Sequence, residues 1–148
     1  MYTMYVILPS RSPSKHSYSR ILHLDHKYLP GNDLTMKQLK KGYLFWVYDE
    51  QKVVAYLLLE DYKATTTIRS IVVIPEYRGY KLATRLVKSA MRWLLKQKKF
   101  SIHTYTSAYN YASMNLLIGL GFKILKCYET YSAMDKRHVP WISFRRYL

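Results

Sequence analysis

Apolar positions along this chain change their period several times. "YVIL" (5–8) is a short apolar run that reads as a strand, and "PSRSPSKHS" (9–17) reads as a loop because proline and serine interrupt regular structure. From Tyr18 to about Gly42 the period is helical, but "LPGND" (29–33) breaks it, since Pro30 and Gly31 do not continue a helix. Two short helices are expected there. "YLFWVYDEQKVVAYLLLED" (43–61) is a pair of apolar runs around the polar turn "DEQK", hence a hairpin. "TTTIRSIVVI" (65–74) is β-branched almost throughout and suits a central strand, so residues 44–74 supply three consecutive strands.

The second half opens with the clearest helix. Between 82 and 96, Leu82, Leu86, Val87, Ala90, Met91, Leu94 and Leu95 recur at helical spacing, while Arg85, Lys88, Arg92 and Lys96 fall on the other side. "FSIHTYTS" (100–107) alternates like a strand. A helix over about 111–120 follows, with Asn110 as N-cap and Gly121 as its C′ stop. Two last strands, about 122–133 and 139–147, flank the turn "AMDKRH". The order of elements is that of an α/β protein with a strand–turn–helix unit at its centre.

Composition sharpens this in three ways. At 148 residues the chain suits a single domain, 1–148, with enough length to bury a core, and 49% hydrophobic with 16% aromatic residues is a globular composition. Cys127 is the only cysteine, so no internal disulfide forms, and a reducing, cytoplasmic setting is the expectation. The opening "MYTMYVILPS" has its basic residues after the apolar stretch, and no apolar run reaches the length of a membrane span, so neither secretion nor a membrane partner is expected. Charge changes the picture most. Twenty-four Lys and Arg against nine Asp and Glu give +15, a field that attracts polyanions, so nucleic acid or a ribonucleoprotein is the first macromolecular partner class to consider.

"IPEYRGYKLATRL" (74–86) combines these themes. The first turn of a helix leaves backbone N–H groups unpaired and carries partial positive charge, which favours an anion. Gly79 allows a sharp turn, Ala83 adds little bulk, and Arg78 and Lys81 add full charge, so a pyrophosphate suits residues 78–83. An ordinary strand-to-helix turn with solvated basic residues remains open on these positions alone. The dinucleotide and P-loop fingerprints are both absent.

Taken with "NYASMNLLIGLGF" (110–122), this unit resembles the GNAT family of N-acetyltransferases over residues 65–124. The resemblance implies a single-domain α/β fold: a mixed, mostly antiparallel sheet with a central splayed parallel pair and helices on both faces. It implies acetyl-CoA as donor, with its pyrophosphate at Arg78, Gly79, Tyr80, Lys81, Leu82 and Ala83, its pantetheine arm along the backbone of Ile71 and Val73, and Asn110 opening the motif on the other side of the cofactor. Arg78 takes the first place of the family's loop motif and Ala83 the small last one, while Lys81 stands where glycine is usual. In the second motif Asn110, Ser113, Leu116, Gly121 and Phe122 match. Leu117 stands where the family usually has the tyrosine that protonates the leaving thiolate.

Acetyl transfer to an amine needs a neutral amine, a polarised thioester carbonyl and a path for the amine proton. A backbone N–H, such as that of Val73, suffices for the carbonyl. None of the nine carboxylates is well placed for the proton. His103 and Tyr105 share one face of their strand, and some family members have a catalytic glutamate at the position of Tyr105. These two are the catalytic candidates, with half-buried packing as the alternative role. His23, Asp25, His26 and Asp33 in the N-terminal helices read as solvated surface positions rather than metal ligands, with Asp25 or Asp33 in reach of an acceptor amine. Two functions stay open: an acetyl-CoA-dependent N-acetyltransferase for a primary amine, its acceptor carried on an acidic partner such as tRNA, modified nucleic acid or a ribosomal assembly, or a non-catalytic module that binds nucleic acid or protein. Both a monomer and a homodimer are compatible with the residues.

Overall fold

The first helix begins one turn earlier than its apolar period predicts because Ser14 caps it. The Ser14 hydroxyl accepts a hydrogen bond from the Ser17 amide at 3.1 Å, so residues 15–17, expected in the loop, are helical. The computed structural model describes residues 4–9, 11–62 and 65–148. Residues 1–3 of the opening segment, Ser10 of the expected loop, and residues 63 and 64 lie outside that description. In order, the chain forms β1 (Val6–Ile7), α1 (Lys15–Tyr28), α2 (Met36–Lys41), β2 (Tyr43–Asp49), β3 (Lys52–Tyr62) and β4 (Thr65–Val73). A 3-10 turn (Pro75–Tyr77), α3 (Leu82–Lys96), β5 (Ser101–Ser107), α4 (Tyr111–Gly119), β6 (Lys123–Ser132) and β7 (Arg137–Tyr147) follow. Among the described residues no helix is long and apolar enough to cross a membrane.

The seven strands form one sheet in the order β1-β2-β3-β4-β5-β7-β6, with β4–β5 as the parallel pair and antiparallel pairing elsewhere. Each face is identified by what packs on it. Trp93 of α3 packs its ring 4.7 Å from Tyr43 and 5.9 Å from Phe45. The neighbouring position, Trp46, pairs with Tyr56, whose hydroxyl meets Asp25 of α1. α1 and α3 therefore cover opposite faces, and Leu86, Val87, Ala90 and Leu94 of α3 are buried with Phe45 and Leu57.

Register then carries the two faces across the sheet. Leu58 pairs with Ser70 and Leu59 with Ile68, so Arg69 is an extra residue, a bulge that switches the alternation of β4. Ser70 and Val72 consequently share the α1 face with Tyr56. Thr67 pairs with both Glu60 and His103, which puts His103, and with it Tyr105 and Ser107, on that same α1 face.

Asp25 corrects the expectation of a solvated side chain, for it is wholly buried. Its Oδ2 accepts from the Tyr56 hydroxyl at 2.5 Å, and both of its oxygens lie 3.0 Å from Asn32 Nδ2, which also meets Ser70 Oγ at 2.9 Å. Arg69 donates to the Asn32 carbonyl at 2.8 Å and pairs with Glu60 at 3.3 Å. Burial, followed by the Asp25 charge, drives the Tyr56 phenol far above its ordinary pKa, which keeps it a donor. The network fixes the "LPGND" break against β3 and β4, because a buried carboxylate is tolerated only when its lone pairs are satisfied. His26 is separately engaged, its Nε2 lying 2.8 Å from the Leu34 carbonyl. Asp25 is thus structural and out of reach of an acceptor.

Gly31, in that same break, has a positive φ of 84°, and a Cβ there would stand 2.4 Å from Cβ of Ala133 in the β6–β7 turn. Only glycine lets the two loops touch. Their contact walls the α1 face of β5, β7 and β6.

Replacing Asp25 by Ala strands the buried Tyr56 hydroxyl and leaves the Asn32 amide only its bond to Ser70, so unfolding free energy should fall by about 3 kcal/mol. Urea denaturation measures it, and an unchanged midpoint would show that the network carries no stability.

Candidate acetyltransferase site

β4 leads into the 3-10 turn and then into Arg78, Gly79, Tyr80 and Lys81 before α3 begins. Gly79 has φ +87°, with nothing within 4 Å of where a Cβ would stand, so glycine serves the turn and leaves open space above it. Lys81 is the N-cap residue and adopts the left-handed conformation, φ 58° and ψ 28°. That explains the family's preference for glycine at this position: the backbone needs positive φ, and lysine bears a steric cost of about 1 kcal/mol to supply it. The Lys81 side chain makes no cap hydrogen bond, and no acidic residue occupies the first turn of α3. First-turn N–H groups such as those of Leu82, Ala83 and Thr84 have no intrahelical partner, which favours an anion at this position.

Side chains around the loop hold it in place. Arg78 Nε donates to the Val73 carbonyl at 3.2 Å, folding the guanidinium back over the end of β4. The Tyr77 hydroxyl donates to Asp49 of the β2–β3 hairpin, and this bond, with burial second, raises its pKa. Tyr80 is exposed, whereas the Leu82 side chain is buried, so only the Leu82 backbone is available to a ligand.

Beside the loop the sheet opens. Thr67↔His103 is the single register pair between β4 and β5 among the described residues, and Ile71 and Val73 lie beyond it toward the loop. Parallel strands that part in this way leave backbone donors and acceptors on their facing edges, able to bond an amide-bearing chain as an added strand would. Asn110, just ahead of α4, uses its Oδ1 to cap that helix, accepting from the Ser113 amide at 3.2 Å. Leu117, at the position where the family usually has a tyrosine, is buried in the core with Phe122.

On the α1 face, β5 and its neighbours assemble groups that are distant in sequence. His103 pairs with Arg145, and burial first and that guanidinium second hold its imidazole below the ordinary value of 6.5. Tyr105 is half exposed, with its ring 5.8 Å from Trp141. Tyr128 pairs with Trp141 across β6–β7; burial first and Tyr105 second raise its phenol above the usual value. Asp135, in the β6–β7 turn, reaches Ser107 at 3.4 Å and Ser132 at 2.7 Å, closing the end of this face. Trp141, Tyr128 and Arg145 escaped sequence reasoning because only the register of β7 brings them to β5.

Residues 9–122 match the family model described as "Acetyltransferase (GNAT) family". The chain belongs to the GNAT acetyltransferase family. No curated protein sequence matches it. Solved structures do share the fold. The ribosomal-protein-S18-alanine N-acetyltransferase of Escherichia coli is similar at 18% identity and a TM-score of 0.80, covering 98% of this chain and 94% of its own. Arabidopsis thaliana NAA60, solved with a bisubstrate analogue, reaches 0.84 at 10% identity, covering 98% of each chain. A GNAT acetyltransferase of Elizabethkingia anophelis with acetyl-CoA bound reaches 0.75 at 14% identity, again with 98% of each chain. The mixed sheet with one parallel pair and helices on both faces, expected from the motifs, is the GNAT fold.

Two outcomes follow from the geometry. Lys81→Gly relieves the left-handed strain and should raise stability by up to about 1 kcal/mol in urea denaturation; a loss of stability would contradict the strained N-cap. For His103, the native imidazole stays neutral where the unfolded chain is protonated. Its contribution to stability is therefore whole above pH 6.5 and is lost as pH falls below that through the lowered native value. His103→Gln should flatten that part of the stability–pH curve, and an unchanged curve would show that the ring titrates alike in both states.

Proposed function

We propose that the protein is an acetyl-CoA-dependent N-acetyltransferase acting on a primary amine, as one domain over residues 1–148. The observation that carries this is the junction of an acid-free α3 N-terminus, where Lys81 makes no side-chain cap bond, with a parallel strand pair whose register ends at Thr67↔His103. The site suits the donor. Arg78, Gly79, Tyr80, Lys81 and the backbone of Leu82 and Ala83 would take its pyrophosphate, Ile71 and Val73 its pantetheine amides, with Asn110 closing the far side. The similar Elizabethkingia anophelis structure carries acetyl-CoA, which supports the same donor here. When bound, acetyl-CoA supplies the acetyl group as an activated thioester.

The chain's own residues then supply orientation and proton traffic. The Val73 N–H would polarise the thioester carbonyl at the mouth of the gap. His103, held neutral near pH 7, can accept the amine proton through water, and the half-exposed Tyr105 phenol can donate where Leu117 has no hydroxyl. The net charge of +15 favours an acceptor carried on an acidic partner such as tRNA, modified nucleic acid or a ribosomal assembly.

Transfer of labelled acetyl to nucleic acid, protein or small-molecule fractions of a cell extract tests the reading. Tyr105→Phe should lower turnover about tenfold or more while acetyl-CoA affinity holds, and Arg78→Glu should abolish that affinity with the fold intact. Unchanged turnover removes Tyr105 from the chemistry. Acetyl-CoA binding with no acceptor labelled in any fraction would favour a binding module on this fold, the reading that Leu117 supports.

A further inference from the structure

Between Tyr77 and Tyr128 the chain has ten Lys and Arg and no Asp or Glu. The centre of that stretch is α3, whose outward positions Lys88, Arg92 and Lys96 are all exposed. Four residues of helix rise about 6 Å, so the three cations form a straight row on one side. Like charges at this spacing repel and weaken a helix by a few tenths of a kcal/mol per pair, and surface helices ordinarily relieve this with intervening glutamates. α3 has none. Among the described residues the ion pairs are Arg69–Glu60, Lys99–Asp61 and His138–Glu129, and none involves the row.

A fourth cation joins from the sheet. A groove of about 260 Å³ is lined by Lys88, Met91, Arg92, Leu95, Arg146 and Leu148, three cations with no carboxylate side chain among them. Arg146 Nε is buried without a hydrogen-bond partner, and its Nη1 lies against bare backbone, 2.8 Å from where a Cβ on Gly121 would stand. Arg92 is ten residues along α3 from Leu82, about 15 Å from the phosphate loop, and the row belongs to the helix on the face opposite His103 and Tyr105.

We infer that the row Lys88, Arg92 and Lys96, with Arg146 beside it, is a docking ridge for the phosphate backbone of a nucleic-acid strand, separate from the acetyl-transfer cleft. Nucleic acid fits because its phosphates recur along a line as these cations do, and because phosphate contacts need charge without a shaped pocket. The ridge binds whether or not the acceptor amine is on the nucleic acid, so its test is independent of turnover.

Fluorescence anisotropy with a labelled single-stranded RNA of about 20 nucleotides, titrated at salt concentrations from about 50 to 200 mM, measures it. Lys88→Glu, Arg92→Glu and Lys96→Glu together should weaken binding about tenfold or more at low salt and make the slope of log affinity against log salt shallower by about 2, three contacts at about 0.7 each. Acetyl-CoA affinity should not move. The neutral triple Lys88→Gln, Arg92→Gln and Lys96→Gln should give the same slope change without introducing new charge. The same number of charges reversed on α2, at Lys37, Lys40 and Lys41, should leave a clearly steeper slope than the α3 triple. Wild-type binding by both α3 triples, or an equal loss from the α2 triple, would overturn the ridge. Binding to phosphatidylserine vesicles but not to the RNA would overturn it in favour of a membrane surface.

Discussion

Two strands that run parallel and then stop pairing leave backbone donors and acceptors exposed inside a sheet, and the rest of this molecule is arranged around that gap. β4 and β5 hold register at Thr67↔His103, and the chain beyond Val73 turns into α3 instead of returning to β5. The bulge at Arg69 re-aims β4 just beyond that last pair, and Arg78 folds back onto the Val73 carbonyl at its end. With Lys81 making no side-chain cap bond and no acidic residue in the first turn of α3, the mouth of the gap is positive by construction. An anion attached to an amide-bearing arm answers both needs at once.

The opposite requirement, rigidity, is met beneath α1. A fully buried Asp25 is stable only because Tyr56 and Asn32 donate to it, and the same Asn32 ties Ser70 to the helix break. Through this network the α1–α2 connection is held against the sheet, where Gly31 touches Ala133 and bounds the face that displays Tyr105, Trp141 and Tyr128. The proposed chemistry on that face relies on a neutral imidazole and phenols. A carboxylate base is not needed where a histidine is held unprotonated at neutral pH by burial and a neighbouring arginine.

Local signals made much of this legible. Every expected strand and helix occurs, because each carries either a strong period or a cap: Asn110 at α4, the apolar stripe of α3 and the β-branched run of β4 all encode their own structure. Ser14 was overlooked as a cap because the prolines near it read as a loop. What depends on distant pairing was not legible. The burial of Asp25 requires Tyr56 and Ser70 to meet above it, and the company of His103 and Tyr105 is set by β7, some forty residues away. The β2–β3 turn is similar: Glu50 and Gln51 both take positive φ although neither residue type favours it, because the flanking strands impose the twist. Lys81 shows the reverse case, a departure from the family motif whose cost becomes visible only in its backbone angle.

Amide hydrogen exchange with and without acetyl-CoA reads the gap and the helix mouth directly. Slowed exchange at Ile71, Val73 and the amides of residues 79–84, with the β6–β7 hairpin unaffected, is the result expected if the unpaired edge of β4 and the start of α3 hold the cofactor. Exchange that is unchanged at those amides under saturating acetyl-CoA would contradict it.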